Sequence, residues 1–276
     1  MKSRPVRKIF NRHPERTAAS TRLANASNPV ATARSARLPA AWLAYHAVVT
    51  TRLASNEPQI LRAGTIGEAW LAVAGRIVAG GVPSRYDDLP VREISLVTLA
   101  VSRPDPDDEI IARHADPERL AWMHANFTGH SRVAALGGTD SYATRLLDYE
   151  HSGRNQVSWV IDRLRADPVS RSATITTMQP RTDTAYIPCV SLLDFWLPDG
   201  AVELVVYAHS IDFGAKGYGN LVELASLQRH VAGALGLPAG RLVMIVKSAH
   251  VYQADLDYIT GVLAAPASRP ADGVRA

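Results

Sequence analysis

The sequence predicts a single α+β domain over residues 38–263, and three observations predict it. First, 276 residues with 47% hydrophobic and 20% charged side chains are enough for one large buried core. Second, segments with helical apolar spacing alternate with short β-branched runs, all within about 220 residues. Third, no internal repeat appears.

Taken in order, the apolar stretch from Leu38 to Leu53 predicts a helix. The next helix has clearer limits. Thr65 and Glu68 stand in capping-box register, Ile66, Trp70, Val73, Ala74 and Ile77 repeat at helical spacing, and Gly80-Gly81 ends it. Glu93 to Val101 is β-branched and apolar, which predicts a buried strand. Asp116 before Pro117 reads as an N-cap followed by proline at the first helical position, and the helix runs to Phe127. Gln156 to Asp167 places Val157, Val160, Ile161 and Leu164 on one face, and Pro168 stops it. Strands follow at Ser172–Met178, Ser191–Leu197 and Ala201–Ser210, the last two joined by Pro198-Asp199-Gly200. Asn220 to Leu235 is a helix closed by Gly236 and Pro238, and Leu242 to Val246 is the last strand. Residues 264–276 read as a flexible tail.

Charge is unevenly spread. Residues 1–37 hold nine lysines and arginines against the single acid Glu15, whereas the whole chain is only +4. The high pI therefore belongs to this basic segment, read as a disordered tail with a transit peptide as the alternative. The body is net acidic, which argues against a nucleic-acid partner. No run of about 18 apolar residues predicts a membrane span. One cysteine, Cys189, permits neither an internal disulfide nor a cysteine-based metal site.

Cys189 follows Tyr186-Ile187-Pro188 just before an apolar strand, where a cysteine is often only a small buried hydrophobe. A nucleophilic role needs nearby positive charge or hydrogen-bond donors. What surrounds it along the chain is suggestive. Asp167-Pro168-Val169-Ser170-Arg171 precedes it, and Ser210-Ile211-Asp212 follows, with Asn220 eight residues after Asp212. Ser248-Ala249-His250-Val251-Tyr252 comes last. This set, in this order and spacing, resembles the thymidylate synthase family over residues 65–260.

The resemblance implies a large twisted mixed β-sheet covered by helices and a homodimer formed through that sheet. It also implies a cytoplasmic enzyme without a metal. The implied activity is one-carbon transfer to C5 of a pyrimidine nucleoside monophosphate, with 5,10-methylenetetrahydrofolate as co-substrate. Cys189 is then the thiolate that adds to C6, because C5 becomes nucleophilic only after such an addition. Ser210 and Arg171 would hold the phosphate, Arg171 reaching the site of the other subunit, and guanidinium suits that task. Asn220 can both donate and accept, so it can face the O4 and N3–H edge of uracil. His250 and Tyr252 would grip the sugar hydroxyl, and Asp212 would face the pterin. Tyr142 matches the family's active-site tyrosine, and Glu118, near Trp122, is the candidate for its proton-relaying glutamate. Arg85 occupies the place of the N-terminal phosphate arginine, with Arg92 as the competitor.

The sequence also departs from the family pattern. Ser172 replaces a second arginine, Val190 a histidine found in many members, His209 the arginine before the serine, and Lys216 a glycine. Each lost charge-assisted hydrogen bond is worth about 1.5–3 kcal/mol, so two such losses weaken phosphate binding by roughly two to four decades. Lys216 or a protonated His209 can restore part of that. The alternatives are therefore a 5-hydroxymethylase of specialised nucleoside metabolism and a catalytically silent nucleotide-binding member. A hydrolase with a Cys189–histidine dyad lacks an orienting third residue.

Overall fold

The computed structural model describes residues 57–265, except 87, 130, 131, 134–136 and 185. The basic tail, the helix expected at 38–53 and nearly all of the tail expected at 264–276 lie outside the described residues.

Along the chain run β1 (Gln59–Ala63), α1 (Ile66–Gly80), β2 (Val82–Tyr86), β3 (Leu89–Val101), α2 (Glu109–His114) and α3 (Pro117–Thr128). Next come β4 (Arg132–Val133), β5 (Thr139–Asp140), α4 (Tyr142–Leu147), α5 (Gln156–Ala166), β6 (Ala173–Thr176) and β7 (Val190–Trp196). The chain continues through β8 (Val202–Asp212), α6 (Gly217–Leu235), β9 (Ala239–Tyr252) and α7 (Leu256–Ala264). The expected punctuation forms. Thr65 and Glu68 make the reciprocal capping box, and Asp116 accepts from the backbone N–H groups of Glu118 and Arg119. Gly236 closes α6 at φ 70°, a left-handed conformation in which glycine carries no Cβ penalty.

Seven strands form one mixed sheet in the order β1-β3-β9-β8-β7-β6, with β2 also on β3. The pairs β1–β3 and β8–β9 are parallel and the others antiparallel. β1 and β2 share one edge of β3, and Leu96 (φ 56°) marks where that edge passes from β2 to β1. Trp70, Val73 and Ile77 of α1 and Leu221, Leu224 and Val231 of α6 pack with Val97, Leu99, Leu204, Val206, Met244 and Val246 in one core. The alternate strand residues face the other way. Leu192, Tyr207 and Ile245 lie in register across β7, β8 and β9 and remain 38–39% exposed.

Several expected elements shift. β9 continues past Val246 to Tyr252, because Lys247, Ser248 and His250 break the apolar run but not the ladder. α6 starts at Gly217, its first turn masked in the sequence by Gly217 and Gly219, poor helix formers. The edge strands β1 and β2 are short and half-exposed, so they left no strong apolar signal.

Candidate active site

Strand direction builds the site. β8 and β9 are parallel, so their C-terminal ends lie together, carrying Ser210 and Asp212, and His250 and Tyr252. β7 runs antiparallel to β8, so its N-terminal end, with Cys189 just before it, reaches the same edge. The β2–β3 hairpin brings Tyr86 and Leu89 there as well. The turn after Asp212 then feeds α6, which delivers Lys216 and Asn220. Residues far apart in sequence thus meet at one end of the sheet.

The turn itself is tight. Asp212 Oδ1 accepts from the backbone N–H groups of Gly214 (3.0 Å) and Ala215 (3.3 Å), while the Phe213 carbonyl accepts from Trp70 Nε1 at 2.8 Å. A Cβ at Gly214 would come within 2.9 Å of Val251 Cγ1, so glycine permits the close approach. Ser210 Oγ and His250 Nδ1 are 3.3 Å apart, and Asn220 Nδ2 donates to the Lys216 carbonyl at 3.1 Å. Among the described residues, three side-chain atoms there are buried with no hydrogen-bond partner: Asp212 Oδ2, Asn220 Oδ1 and His250 Nε2. Leaving such a group unpaired costs about 1–3 kcal/mol, so each one calls for an explanation.

Cys189 is partly buried, and its carbonyl accepts from His209 N–H at 3.0 Å. Burial pushes its thiol up; Lys216 and a hydrogen bond from Tyr186 pull it down, and Asp212 opposes them. The Tyr142 hydroxyl accepts from the Val190 N–H at 3.0 Å, and burial keeps that phenol protonated. Burial also raises Asp212 to about 6, against the pull of Lys216, and lowers His250 to about 4, with Lys216 adding to the effect. Asp212 is therefore a carboxylate and His250 a neutral imidazole at pH 7.

Beside this end of the sheet opens a cleft of about 720 Å³ lined by Leu89, Pro90, Trp122, Tyr252, Asp212, Lys216 and Glu118, among others. Lys216 Nζ lies 6.0 Å from the Trp122 ring centroid. The cleft offers apolar walls, an indole face and an unpartnered carboxylate oxygen, which suits a flat heterocycle with N–H donors.

The residues matched by resemblance do not all converge. Cys189, Tyr142, Ser210, Asp212, Asn220, His250 and Tyr252 lie at this end, with Glu118 at the cleft. Arg85 is exposed and donates to the Asp88 carbonyl at 2.6 Å; its competitor Arg92 donates to the Gly81 carbonyl. Arg171 is exposed just before β6, which pairs with the far end of β7: Ala173 faces Phe195. Six residues of strand separate Phe195 from Cys189, or roughly 20 Å, so Arg171 does not reach the thiol of its own chain. His209 corrects one expectation. Its ring alternates to the open face of the sheet, where burial and Lys247 lower it, so at pH 7 it adds no charge to a phosphate site.

With this geometry in view, comparison with known proteins is direct. The thymidylate synthase family model matches residues 120–271. The chain belongs to the thymidylate synthase family. A protein of Methanosarcina acetivorans named "Putative thymidylate synthase" is 30% identical over 213 residues, covering 74% of this chain and 94% of that protein. One of the same name from Methanothermobacter marburgensis is 34% identical over 209 residues, covering 68% and 90%. "Thymidylate synthase 1/2" of Encephalitozoon cuniculi matches a shorter stretch, 33% identical over 121 residues. Within this thymidylate synthase framework, sequence reasoning missed two aromatic residues. Tyr186 hydrogen-bonds the thiol, and Tyr86 stacks on His250. Tyr186 sits three residues before Cys189 and Tyr86 adjoins Arg85, but only the fold turns either toward the site.

Proposed function

We propose that this protein transfers a one-carbon unit from methylenetetrahydrofolate to C5 of a pyrimidine nucleoside monophosphate in the cytoplasm. The observation that carries the reading is the trio of buried, unpartnered atoms at the end of the sheet that bears Cys189. Cys189 Sγ bonds to C6 of the ring, and the displaced electron pair moves through C5 toward O4. Asn220 Oδ1 accepts the N3–H, and its second amide hydrogen, the one not given to the Lys216 carbonyl, donates to O4. That donor stabilises the charge developing on O4. Ser210 meets a phosphate oxygen, with Arg85 contributing from the hairpin, and His250 and Tyr252 hold the sugar hydroxyl.

Asp212, Trp122 and Lys216 would hold the folate pterin in the cleft. Bound there, methylenetetrahydrofolate supplies the carbon and, for a methyl product, the hydride. Tyr142 keeps its phenolic proton available beside the thiol, and Glu118 relays protons at the cleft. Asn220 favours uracil over cytosine. A hydroxymethyl product requires only that water enter where hydride otherwise would.

The site belongs to a homodimer in this reading. The apolar row Leu192–Tyr207–Ile245 supports a second copy packed on the open sheet face, and Arg171, remote from its own Cys189, is then free to serve the partner's phosphate site. A second reading, a silent nucleotide-binding member, is favoured by burial pushing the Cys189 thiol up and by the neutrality of His209.

Intact mass spectrometry separates the two. The protein is incubated with methylenetetrahydrofolate and 5-fluoro-dUMP, 5-fluoro-UMP or their cytidine equivalents. A ternary adduct on Cys189 is expected with a uracil nucleotide. No adduct with any of them, together with no tritium release from C5 of the unfluorinated nucleotides, would leave the silent reading.

A further inference from the structure

His250 is enclosed by groups from five elements, its own strand included. Ser210 Oγ of β8 lies 3.3 Å from Nδ1. Tyr252 of β9 meets the ring edge-on, with centroids 5.2 Å apart and planes at 87°. The Tyr86 ring of β2 lies nearly parallel to the imidazole, at 4.9 Å and 16°. Glu93 of β3 and Asp212 of β8 are its register neighbours, and Lys216 at the start of α6 repels a proton from it.

Nδ1 faces Ser210 Oγ, and Nε2 is buried with no partner among the described residues. Burial lowers His250 to about 4, so the ring is neutral near pH 7 and carries one N–H. In the tautomer whose Nδ1–H donates to Ser210 Oγ, Nε2 is a bare acceptor, and such an atom recognises an O–H donor.

We infer that Tyr86 is a positioning residue of this site: its ring, stacked flat on His250, fixes the plane of the imidazole and so the direction in which Nε2 accepts a hydroxyl. Ser210 holds only the Nδ1 side of the ring. A five-membered ring held at one side can still tilt, whereas a stacked face removes that freedom at little entropic cost, because tyrosine has only two side-chain torsions. The hairpin tip that carries Tyr86 also carries Arg85, so one short edge strand would order the sugar and phosphate ends of a nucleotide together. The ligand side of this inference rests on the nucleotide reading above; the hold on His250 does not.

The test uses the full-length protein and the variants Tyr86→Phe, which keeps the flat ring, and Tyr86→Leu, which keeps apolar bulk without it. Circular dichroism and thermal melting verify folding of both. The first readout is the mobility of the His250 ring, read from the linewidth of its signals by NMR of ring-labelled histidine, with the signals assigned by their loss in His250→Gln. In wild type and Tyr86→Phe one sharp set of ring signals is expected; in Tyr86→Leu, which keeps the apolar bulk but not the stacked face, the signals broaden or split as the ring tilts. The second readout is the affinity ratio of 5-fluoro-dUMP to its 3′-deoxy analogue. That ratio is expected to fall about tenfold in Tyr86→Leu, the loss of one well-made hydrogen bond, and to be retained in Tyr86→Phe. Equally sharp ring signals and an unchanged ratio in Tyr86→Leu overturn the positioning role. If wild type binds neither nucleotide, the nucleotide reading and the hydroxyl assignment fall together, and the ring signals alone still decide whether Tyr86 holds His250.

Discussion

The wall of the site and its rim are built differently. The wall, Ser210, Asp212, Asn220 and His250, stands on two long central strands and the helix that connects them and is buried, with Asp212 and Asn220 oriented by backbone hydrogen bonds within one chain. The rim, Arg85, Arg171 and His209, is exposed or turned to the open sheet face, and Arg171 lies at the wrong end of the sheet for its own thiol. In the proposed function, recognition of a flat ring therefore comes from a preorganised scaffold, and recognition of an anion falls mainly to groups that a ligand or a second chain would gather. Preorganised buried dipoles act without reorganisation, whereas exposed cations are screened and contribute less.

That contrast can be broken or sharpened in order of expected effect. Cys189→Ser should lower tritium release from C5 of dUMP by about 10⁴-fold or more while preserving binding, since only the nucleophile is lost. Next, Arg171→Glu and Cys189→Ala should each be inactive alone, yet mixing and refolding them should restore about a quarter of wild-type activity. Half of the dimers are then hybrids with one intact site. No recovery would show that the rim is completed in cis or not at all.

A stability measurement tests the wall. Asp212 is raised to about 6 from an ordinary 3.8, so its contribution is fully present below pH 3.8 and is lost as pH rises through 6. Asp212→Asn, which keeps an acceptor for Gly214 and Ala215, should match wild type near pH 4. It should exceed it at pH 7.5 by on the order of 2 kcal/mol, read as a higher Tm. Equal melting at both pH values would mean that the wall carries no such strain. Lys216→Met should move the pH midpoint of Cys189 alkylation upward and slow alkylation at pH 7 by about tenfold, with Lys216→Arg restoring it, because Lys216 is the cation that opposes burial of the thiol. Smallest of all, Arg85→Ala should weaken nucleotide binding less than about tenfold, given its exposure.

The fold class was legible from α1, α3, α5 and the apolar runs of β3, β7 and β8, whose periodicities record which faces are buried. β1, β2 and α4 were not, because an edge strand or a six-residue helix buries too little to leave a pattern. Among the site residues, Cys189, Ser210, Asp212, Asn220 and His250 were legible only as an ordered set. Tyr186 and Tyr86 were legible in neither way, since a tyrosine in a loop or at the end of a short edge strand carries no spacing signal.

The sequence by itself determined the alternation of elements, the caps that bound them and the one available thiol, because each of these is encoded over fewer than about twenty neighbouring residues. The tertiary structure alone decided which strand ends share an edge, and hence that His250 meets Ser210 and Tyr86 while Arg171 is carried away. Strand direction and order are set by packing between segments distant in sequence, and burial, which raises the pKa of Asp212 and keeps His250 neutral, exists only once those segments have met.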